Sequence, residues 1–210
     1  MLSLAVVHLA TFAHTQFRDA DWIPAKVEMK DGEILHTNTI INNQFFEGTL
    51  ITKTDERIIT VSPQKLESFT LYPKDSDSLY FVSTKTSFLK SNGIKASFLN
   101  EYYKGRNFSL YKKKLPDKNW IPLATPYTIG YVQYLQNEVT LFISNKEIAY
   151  QVSKPSGINY EKGKYKIERT PFFDAFGEQG TLVRKFVKKN KLNINRIEHI
   201  LQILKYANTL

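Results

Sequence analysis

The stretch from residue 98 to residue 114, FLNEYYKGRNFSLYKKK, limits the possible folds of this chain more than any other segment. Its side chains alternate on both sides of Lys104-Gly105-Arg106-Asn107, a sequence typical of a tight β-turn because Gly and Asn tolerate positive φ. The pattern predicts a hairpin whose second strand ends at Lys112-Lys113-Lys114. Because a two-stranded ribbon is not stable alone in water, the rest of the chain must supply a sheet or a helix to support it.

The size and composition of the chain fit a mostly β domain with its own core. A single domain of 210 residues buries roughly 70% of its unfolded surface, so it needs no metal or disulfide for stability. The sequence has no cysteine, which excludes a disulfide framework and any cysteine-based metal site or nucleophile. Its 12 Tyr and 14 Phe, together with many β-branched residues, favour strands.

Further hairpins are predicted along the first 152 residues. Asp31-Gly32 marks the turn between strands at 25–29 and 34–41, and a polar loop joins strands at 49–52 and 57–61. We expect one helical turn at 62–66, with Ser62 as its N-cap. More strands are predicted at the following ranges: 67–72, 79–83, 86–89, 131–135, 139–143 and 148–152.

Several connecting segments have a less regular pattern. Residues 115–119 are predicted to form a loop, and Pro122 and Pro126 restrict residues 120–127 to a sheet edge or a coil. Residues 144–147 form either a turn or a short helix. A break at 154–157 precedes residues 160–167, which form either a last hairpin or an exposed loop.

Only the C-terminal part of the chain has a helical pattern. Thr170 is the expected N-cap of a first segment, and residues 181–190 are amphipathic, with a basic face formed by Arg184, Lys185, Lys188 and Lys189. Asn193 or Asn195 is the expected N-cap of the last helix. Its predicted buried stripe consists of Ile194, Ile197, Ile200, Leu201 and Leu204.

These elements predict an α+β fold that is mostly β. We expect an antiparallel sheet, or a partly open barrel or sandwich, with a C-terminal helical hairpin packed on it. The predicted parts are a signal-peptide remnant at 1–16, an antiparallel β domain at 17–168 and the helical hairpin at 169–210, with the last two forming one folding unit.

The apolar run from residue 2 to residue 13 has the length of a signal-peptide core and is too short to span a bilayer. Small residues at Thr11 and Ala13 fit the −3 and −1 positions of an export cleavage site. No Lys or Arg precedes the run, however, since the first basic residue is Arg18. The alternatives are an export segment and a buried first strand or helix.

The net positive charge of the chain comes entirely from its second half. Residues 1–100 contain 10 Lys/Arg and 11 Asp/Glu, whereas residues 101–210 contain 19 and 9. Such asymmetry indicates contact with nucleic acid or an anionic surface, although solvated lysines are the simpler explanation.

The sequence lacks the motifs of known catalytic and metal sites. It has no Gly-rich phosphate loop, no Gly-x-Ser-x-Gly elbow and no His-Glu-x-x-His. The four histidines, His8, His14, His36 and His199, are scattered. Asp75 and Asp77 resemble a calcium or catalytic carboxylate pair, but loop aspartates are more often simply solvated. We therefore expect no cofactor and no metal, and we assign no catalytic residue.

The strongest candidate site combines aromatic and basic residues of the 98–114 hairpin. Exposed aromatics stack on bases or sugars, and lysines contact phosphates. The alternative is that the rings fill the core and that the lysines protect a strand end against edge pairing. The candidate residues for binding an anion or a partner are Tyr102, Tyr103, Arg106, Tyr111, Lys112, Lys113 and Lys114.

Short motifs distributed over residues 22–208 resemble a group of uncharacterised secreted β-rich proteins, a domain of unknown function, common in the Bacteroidetes. The motifs are Asp31-Gly32, Ser62-Pro63-Gln64-Lys65-Leu66 followed by Phe69, Phe98-Leu99 with Gly105 before Ser109-Leu110-Tyr111, and Tyr206-Ala207-Asn208. The departures are the absent basic segment before the apolar run, and Ala207, where an adjacent Tyr-Asn is expected. The resemblance implies an export signal but no known activity, ligand or catalytic residue.

Three functions remain open at this point. The first is an exported, non-enzymatic binding or envelope-associated protein whose basic half contacts an anionic lipid or polysaccharide surface, or a protein partner. It would be periplasmic, outer-membrane-associated or secreted, with no transmembrane span. The second is a hydrolase with carboxylates gathered from separate loops. The third is a cytoplasmic nucleic-acid-binding module, which requires residues 2–13 to be structural.

Overall fold

The computed structural model describes residues 22–40, 49–53, 57–74, 77–89, 93–125, 128–154 and 163–210. The predicted export segment 1–16, the 54–56 loop, Asp75, Pro126 and the break at 155–157 lie outside these residues. The chain divides into two compact units, residues 1–79 and residues 80–210.

The first unit contains a five-stranded antiparallel arrangement in the order β5-β1-β2-β3-β4. Its strands are β1 (Trp22–Met29), β2 (Ile34–Ile40), β3 (Leu50–Lys53), β4 (Ile58–Val61) and β5 (Leu66–Leu71). Both predicted hairpins are confirmed. The Asp31-Gly32 turn depends on glycine, because Gly32 has a φ of 91°.

One face of β1 and β5 forms the core of this unit. Ala25 lies opposite Leu71 and Val27 lies opposite Phe69, and all four side chains are buried. These residues follow the period of two that a half-buried strand requires, so burial on one face fixes the register between the two strands.

The helical turn predicted at 62–66 is wrong. The Lys65 N–H donates to the Ser62 carbonyl at 3.1 Å, which closes a single tight turn, and β5 begins directly at Leu66. The Lys65 carbonyl accepts the N–H of Lys30 at 3.0 Å, and Leu66 pairs with Met29. Pairing with the first hairpin therefore takes the backbone groups that a helix would have used.

The second unit is a small closed β-barrel with helices packed on it. Its strands are β6 (Leu79–Ser87), β7 (Ile94–Tyr103), β8 (Ser109–Thr125), β9 (Thr128–Ser144) and β10 (Ile148–Gln151). From β7 to β10 each strand is antiparallel to the one before it, and β10 returns to pair in parallel with β6. This confirms the mostly β fold, although the two strands predicted at 79–83 and 86–89 form one strand, β6.

The barrel interior contains many polar side chains. Register places Tyr111 beside Phe142 and Lys113 beside Thr140 on the inward face of β8 and β9. The apolar part of the interior is small and consists of Leu99, Phe142 and Ala149, with Phe88 and Tyr111 packed against them. The buried polar residues on the inward faces of the strands are Thr86, Ser97, Ser109, Lys113, Thr140 and Ser144.

Strand β8 is longer than the sequence pattern predicts. It continues through Lys112, Lys113 and Lys114 to Thr125, so the predicted strand end at the lysines and the loop at 115–119 are wrong. The cause is the register with β9, which pairs every residue from Ser109↔Ser144 to Thr125↔Thr128. Pairing with β7 ends at Lys112, so Pro116 and Pro122 lie where β8 pairs with β9 alone, as a proline in a sheet requires.

Three helices cover the outer face of β8 and β9. They are α1 (Arg169–Asp174), α2 (Gly180–Lys189) and α3 (Ile197–Ala207), with a short 3-10 turn at Gly177–Gln179. None of the helices in the described part of the chain is both long and apolar enough to cross a membrane. The shared core includes Leu110, Leu141 and Ile143 from the strands, and Phe172, Phe176, Val183, Ile200 and Leu204 from the helices.

The helices lie where the pattern predicts, but the predicted N-caps are wrong. The N-cap positions are Glu168 for α1 and Arg196 for α3, and neither side chain makes a capping hydrogen bond. Asn195 Oδ1 instead accepts the Ile167 N–H at 3.0 Å, which uses the amide in a contact between loops. In α3, Ile197, Ile200 and Leu204 are buried as predicted, whereas Ile203 and Ala207 replace the half-buried Ile194 and Leu201.

Candidate anion-binding site

A β-bulge separates the aromatic residues of the 98–114 hairpin. Glu101 lies opposite Tyr111 and Tyr103 lies opposite Leu110, so Tyr102 is the extra residue. Tyr102 is 43% exposed, and its ring lies under the amine of Lys112, whose Nζ is 3.4 Å from the ring centroid. Of the predicted residues, Tyr102 and Lys112 are the pair that lies together at the surface, where they form a cation–π interaction.

The remaining predicted residues lie on other surfaces. Tyr103 packs against the core under the helices, while Tyr111 packs inside the barrel, where burial raises its pKa. Lys113 also points into the barrel and is only 6% exposed. Arg106 is exposed in the turn, and Lys114 pairs with Val139 along β8. The predicted set therefore does not form one aromatic platform.

The two lysines in mid-strand are both perturbed by burial. Removal from water lowers the pKa of Lys112 to about 8 and that of Lys113 to about 8. Burial has this effect because a low dielectric disfavours the charged form of an amine. Lys113 Nζ lies 5.4 Å from the Phe88 ring centroid, which partly replaces its lost hydration.

A second basic surface forms an open groove between α1, α2 and the 191–195 loop, which we call the basic groove. Its volume is about 650 Å³, within the range of small-ligand sites. Its apolar floor is formed by Ile167, Phe173, Val187, Leu192 and Ile194. Its charged lining residues are Arg169, Arg184, Lys188 and Lys191, and two amides, Asn193 and Asn195, complete it.

The charges in the basic groove have one sign. Among the described residues no carboxylate lines the groove, and none of its four cations makes an ion pair. Glu168, next to Arg169 in sequence, is bound instead by Lys154 at 2.7 Å. The segment 180–196 contains six Lys/Arg and no Asp/Glu, and three of the six line the groove. Four cations without a counter-charge among the described residues create a positive potential that attracts anions.

Helical spacing gathers these cations on one side. Arg184 and Lys188 are four residues apart on α2, so both project from the same face, and Lys191 continues that row just after the helix. Lys191 has a φ of 51°, a left-handed conformation that ends α2 and starts the loop. The predicted basic face of α2 thus divides into Arg184 and Lys188, which line the groove, and Lys185 and Lys189, which do not.

Phe173 holds the two arginines of the groove. The guanidinium carbon of Arg184 lies 4.6 Å from the ring centroid and that of Arg169 lies 6.0 Å from it. Arg169 and Phe173 are four residues apart, which places them on one face of α1. The ring itself is buried, so it positions the arginines and is not free to stack on a base.

The 191–195 loop is fixed by one hydrogen bond between its own amides and one to α3. Asn193 Oδ1 accepts the Asn195 N–H at 2.9 Å, and the Asn193 N–H donates to Nδ1 of His199 at 2.8 Å. His199 is therefore occupied by a structural contact. These bonds hold the loop in place, so that the groove is already shaped before a ligand binds.

The described residues do not assemble a metal or carboxylate site. They contain no group of three or more His, Asp or Glu placed to hold a metal ion. Asp77 is exposed, and its predicted partner Asp75 lies outside the described ranges. Within the part that the structure describes, the groove offers cations and amides for binding but no acid or base pair for hydrolysis.

The sequence pattern predicts part of this site. It places Arg184 and Lys188 on the basic face of a helix, but the predicted set does not include Arg169, Phe173 or Lys191. The available signals were the spacing of Arg169 and Phe173 and the continuation of the basic row to Lys191. Neither shows that α1 and the loop lie beside α2, because that contact depends on packing against the barrel.

The fold and the site define a class: a small closed β-barrel whose helical cover has a basic, amide-lined groove. Comparison with protein-family models, with curated proteins and with solved structures finds no match for this chain.

Proposed function

We propose that this protein is an exported, non-enzymatic binding protein that attaches to an anionic lipid surface through its basic helical cover. The observation that carries the proposal is the basic groove, in which four cations without a described counter-charge surround an apolar floor. A basic residue near an anionic leaflet contributes about 1 kcal/mol of attraction, so a group of this size gives useful affinity.

The apolar floor favours lipid over the other anionic partners. A polysaccharide or a nucleic acid presents charge with polar or flat aromatic groups, and neither fills a floor of aliphatic side chains. Base stacking also requires exposed rings, whereas Phe173 is buried and Lys112 already lies over one face of the half-exposed Tyr102 ring. Acyl chains match such a floor, since burying each CH₂ group contributes about 0.8 kcal/mol.

Vesicle co-sedimentation tests this function. We expect the protein to bind vesicles of phosphatidylglycerol mixed with phosphatidylcholine, and to bind pure phosphatidylcholine at least about ten-fold more weakly. Raising the salt from about 0.05 M to about 0.5 M should release it, because screening shortens the range of surface charges. The proposal would be refuted if binding did not depend on salt and lipid charge, or if the protein bound only an acidic polysaccharide or an RNA.

Export rests on the apolar run at 2–13 and on the resemblance to secreted Bacteroidetes proteins, which we propose as the relatives of this chain. We expect protein isolated from its native host to begin at His14, since Thr11 and Ala13 fit the residues that a signal peptidase recognises. Mass spectrometry of the mature N-terminus measures this directly. An intact Met1 would contradict export and would support the alternative of a cytoplasmic protein.

A further inference from the structure

The basic groove has two chemically different parts, a pair of arginines and an apolar floor. Arg169 and Arg184 are both held by the ring of Phe173, at 6.0 and 4.6 Å from its centroid. Guanidinium groups are suited to phosphate because their donors match two of its oxygens at once. Two of them around one ring therefore provide a place for a phosphate group.

Beside the arginines, the lining becomes apolar. Val187 lies one helical turn from Arg184 and is half-buried, and Leu192 and Ile194 continue the floor along the loop. An inorganic phosphate would leave this surface in water, and a long nucleic acid would place further charges over it. The volume of about 650 Å³ accommodates one headgroup with the first part of its chains, not a flat bilayer surface.

We infer that the basic groove binds a single anionic phospholipid, with its phosphate at Arg169 and Arg184 and its proximal acyl chains over Val187 and Leu192. This inference rests on the proposed function and deepens it, since general attraction to a charged membrane needs no discrete site. A discrete site selects the lipid by its phosphate charge and by its chains together, and it saturates at one lipid per protein.

Short-chain lipids in solution test the site without a membrane. We expect dihexanoyl phosphatidylglycerol, kept below its micelle concentration, to bind with one-to-one stoichiometry in calorimetry and to shift the amide resonances of the 191–195 loop. Dihexanoyl phosphatidylcholine has the same chains without net charge, and glycerol phosphate has at least the same negative charge without chains. Each should bind at least about ten-fold more weakly, because each lacks one half of the interaction.

Two double variants of equal charge separate the groove from the rest of the basic surface. R169Q/R184Q removes the phosphate contacts and should weaken short-chain phosphatidylglycerol binding about 30-fold. K185Q/K189Q removes the same charge from exposed positions of α2 outside the groove and should leave this affinity within about two-fold. All four side chains are exposed, so circular dichroism should show both variants folded.

The outcomes distinguish this inference from the function on which it rests. Equal losses in the two double variants, equal binding of the two lipids, or glycerol phosphate binding as tightly as the lipid would each overturn the single-lipid site. If vesicles still bind in a salt-sensitive manner while short-chain lipid does not, the site is refuted and the proposed function stands. If neither binds, both are refuted.

Discussion

Replacing Gly105 with alanine is expected to destabilise the second unit by roughly 3 to 4 kcal/mol. A Cβ built on Gly105 would overlap with the side-chain amide of Asn208 and with the carbonyl oxygen of Phe108. One of these atoms is backbone, so the overlap cannot be relieved by turning a side chain. The substitution must displace either the β7–β8 turn or the end of α3.

The reason for the large effect is the set of hydrogen bonds that Asn208 makes across 100 residues of sequence. Its Oδ1 accepts the N–H groups of Asn107 at 2.6 Å and Phe108 at 2.9 Å. Its Nδ2 donates to the carbonyls of Phe108 at 3.0 Å and Leu204 at 2.8 Å. One side chain thus ties the hairpin turn to the last helix and satisfies backbone groups that would otherwise be unpaired.

Asn208→Ala should therefore lower the free energy of unfolding by about 2 to 4 kcal/mol, as measured by denaturant titration followed by circular dichroism. Asn190 is a matched control: it also follows a helix, but its Nδ2 donates only to Phe186, within its own helix. We expect less than about 1 kcal/mol for Asn190→Ala. Equal effects at the two positions would show that Asn208 acts only as a helix cap.

A double-mutant cycle completes the test. Gly105→Ala should be less costly in a protein that already carries Asn208→Ala, because part of the overlap is gone. Strictly additive effects would contradict a direct contact between the two residues. Measurement at several denaturant concentrations should also show unchanged slopes, since neither variant alters the surface exposed on unfolding.

Short sequence separation explains the parts of this fold that the sequence predicts well. Gly32 has the positive φ that its turn requires, whereas the positive φ expected at Gly105 or Asn107 is wrong, because Gly105 is needed for the close approach of Asn208 and the Phe108 carbonyl. Both turns join strands that are close in sequence, so the alternation on either side is enough to place both hairpins. The helices at the C-terminus are equally predictable from the sequence, because the apolar positions of α3 recur within a few residues of each other.

Pairing between segments far apart in the chain determines the parts of the fold that the sequence does not predict. Three lysines and two prolines suggest a strand end, yet β8 continues because the following strand, β9, supplies a partner for every residue. The N-caps expected at Asn193 and Asn195 are wrong for the same reason. Asn195 Oδ1 accepts the Ile167 N–H, and the Asn193 N–H donates to His199. The local preference for a turn, loop or cap is overridden where a distant segment forms hydrogen bonds with the same backbone.

The same limit applies to the candidate site. Alternation assigns Tyr102 and Tyr103 to opposite faces, and only the bulge at Glu101 and Tyr103 alters this arrangement. The basic groove collects residues from α1, α2 and a loop whose proximity is set by the barrel beneath them. Gly105 and Asn208 both belong to the short motifs that carry the resemblance described above. Their positions in the sequence do not show that they contact each other.

Lys113 provides the second large prediction, because a charged amine inside a barrel opposes folding. The side chain is 6% exposed and lies beside Thr140, whose hydroxyl has no hydrogen-bond partner among the described residues. Among those residues no carboxylate pairs with Lys113. Lys113→Met keeps the length of the side chain and removes the charge, so it should raise the free energy of unfolding by about 2 kcal/mol at pH 7.

The dependence on pH identifies the cause. In the folded protein the pKa of Lys113 is about 8, whereas the ordinary value is 10.5. Between these values the folded state releases its proton before the unfolded state does, so stability rises with pH. At 1.36 kcal/mol for each pKa unit, the wild type should gain about 2 to 3 kcal/mol relative to Lys113→Met between pH 7 and pH 10.

Comparing variants at each pH isolates this group from its neighbours. Lys112, with a pKa of about 8, titrates in both proteins and cancels, and Tyr111, whose pKa is raised, acts in the opposite direction and only above pH 10. Lys85→Met, at an exposed position of β6, is the control that removes a positive charge without removing a buried one. A constant difference between the wild type and Lys113→Met across the whole range would mean that the barrel stabilises the ammonium form. In that case the interior would hold a counter-charge for Lys113, and its burial would not oppose folding.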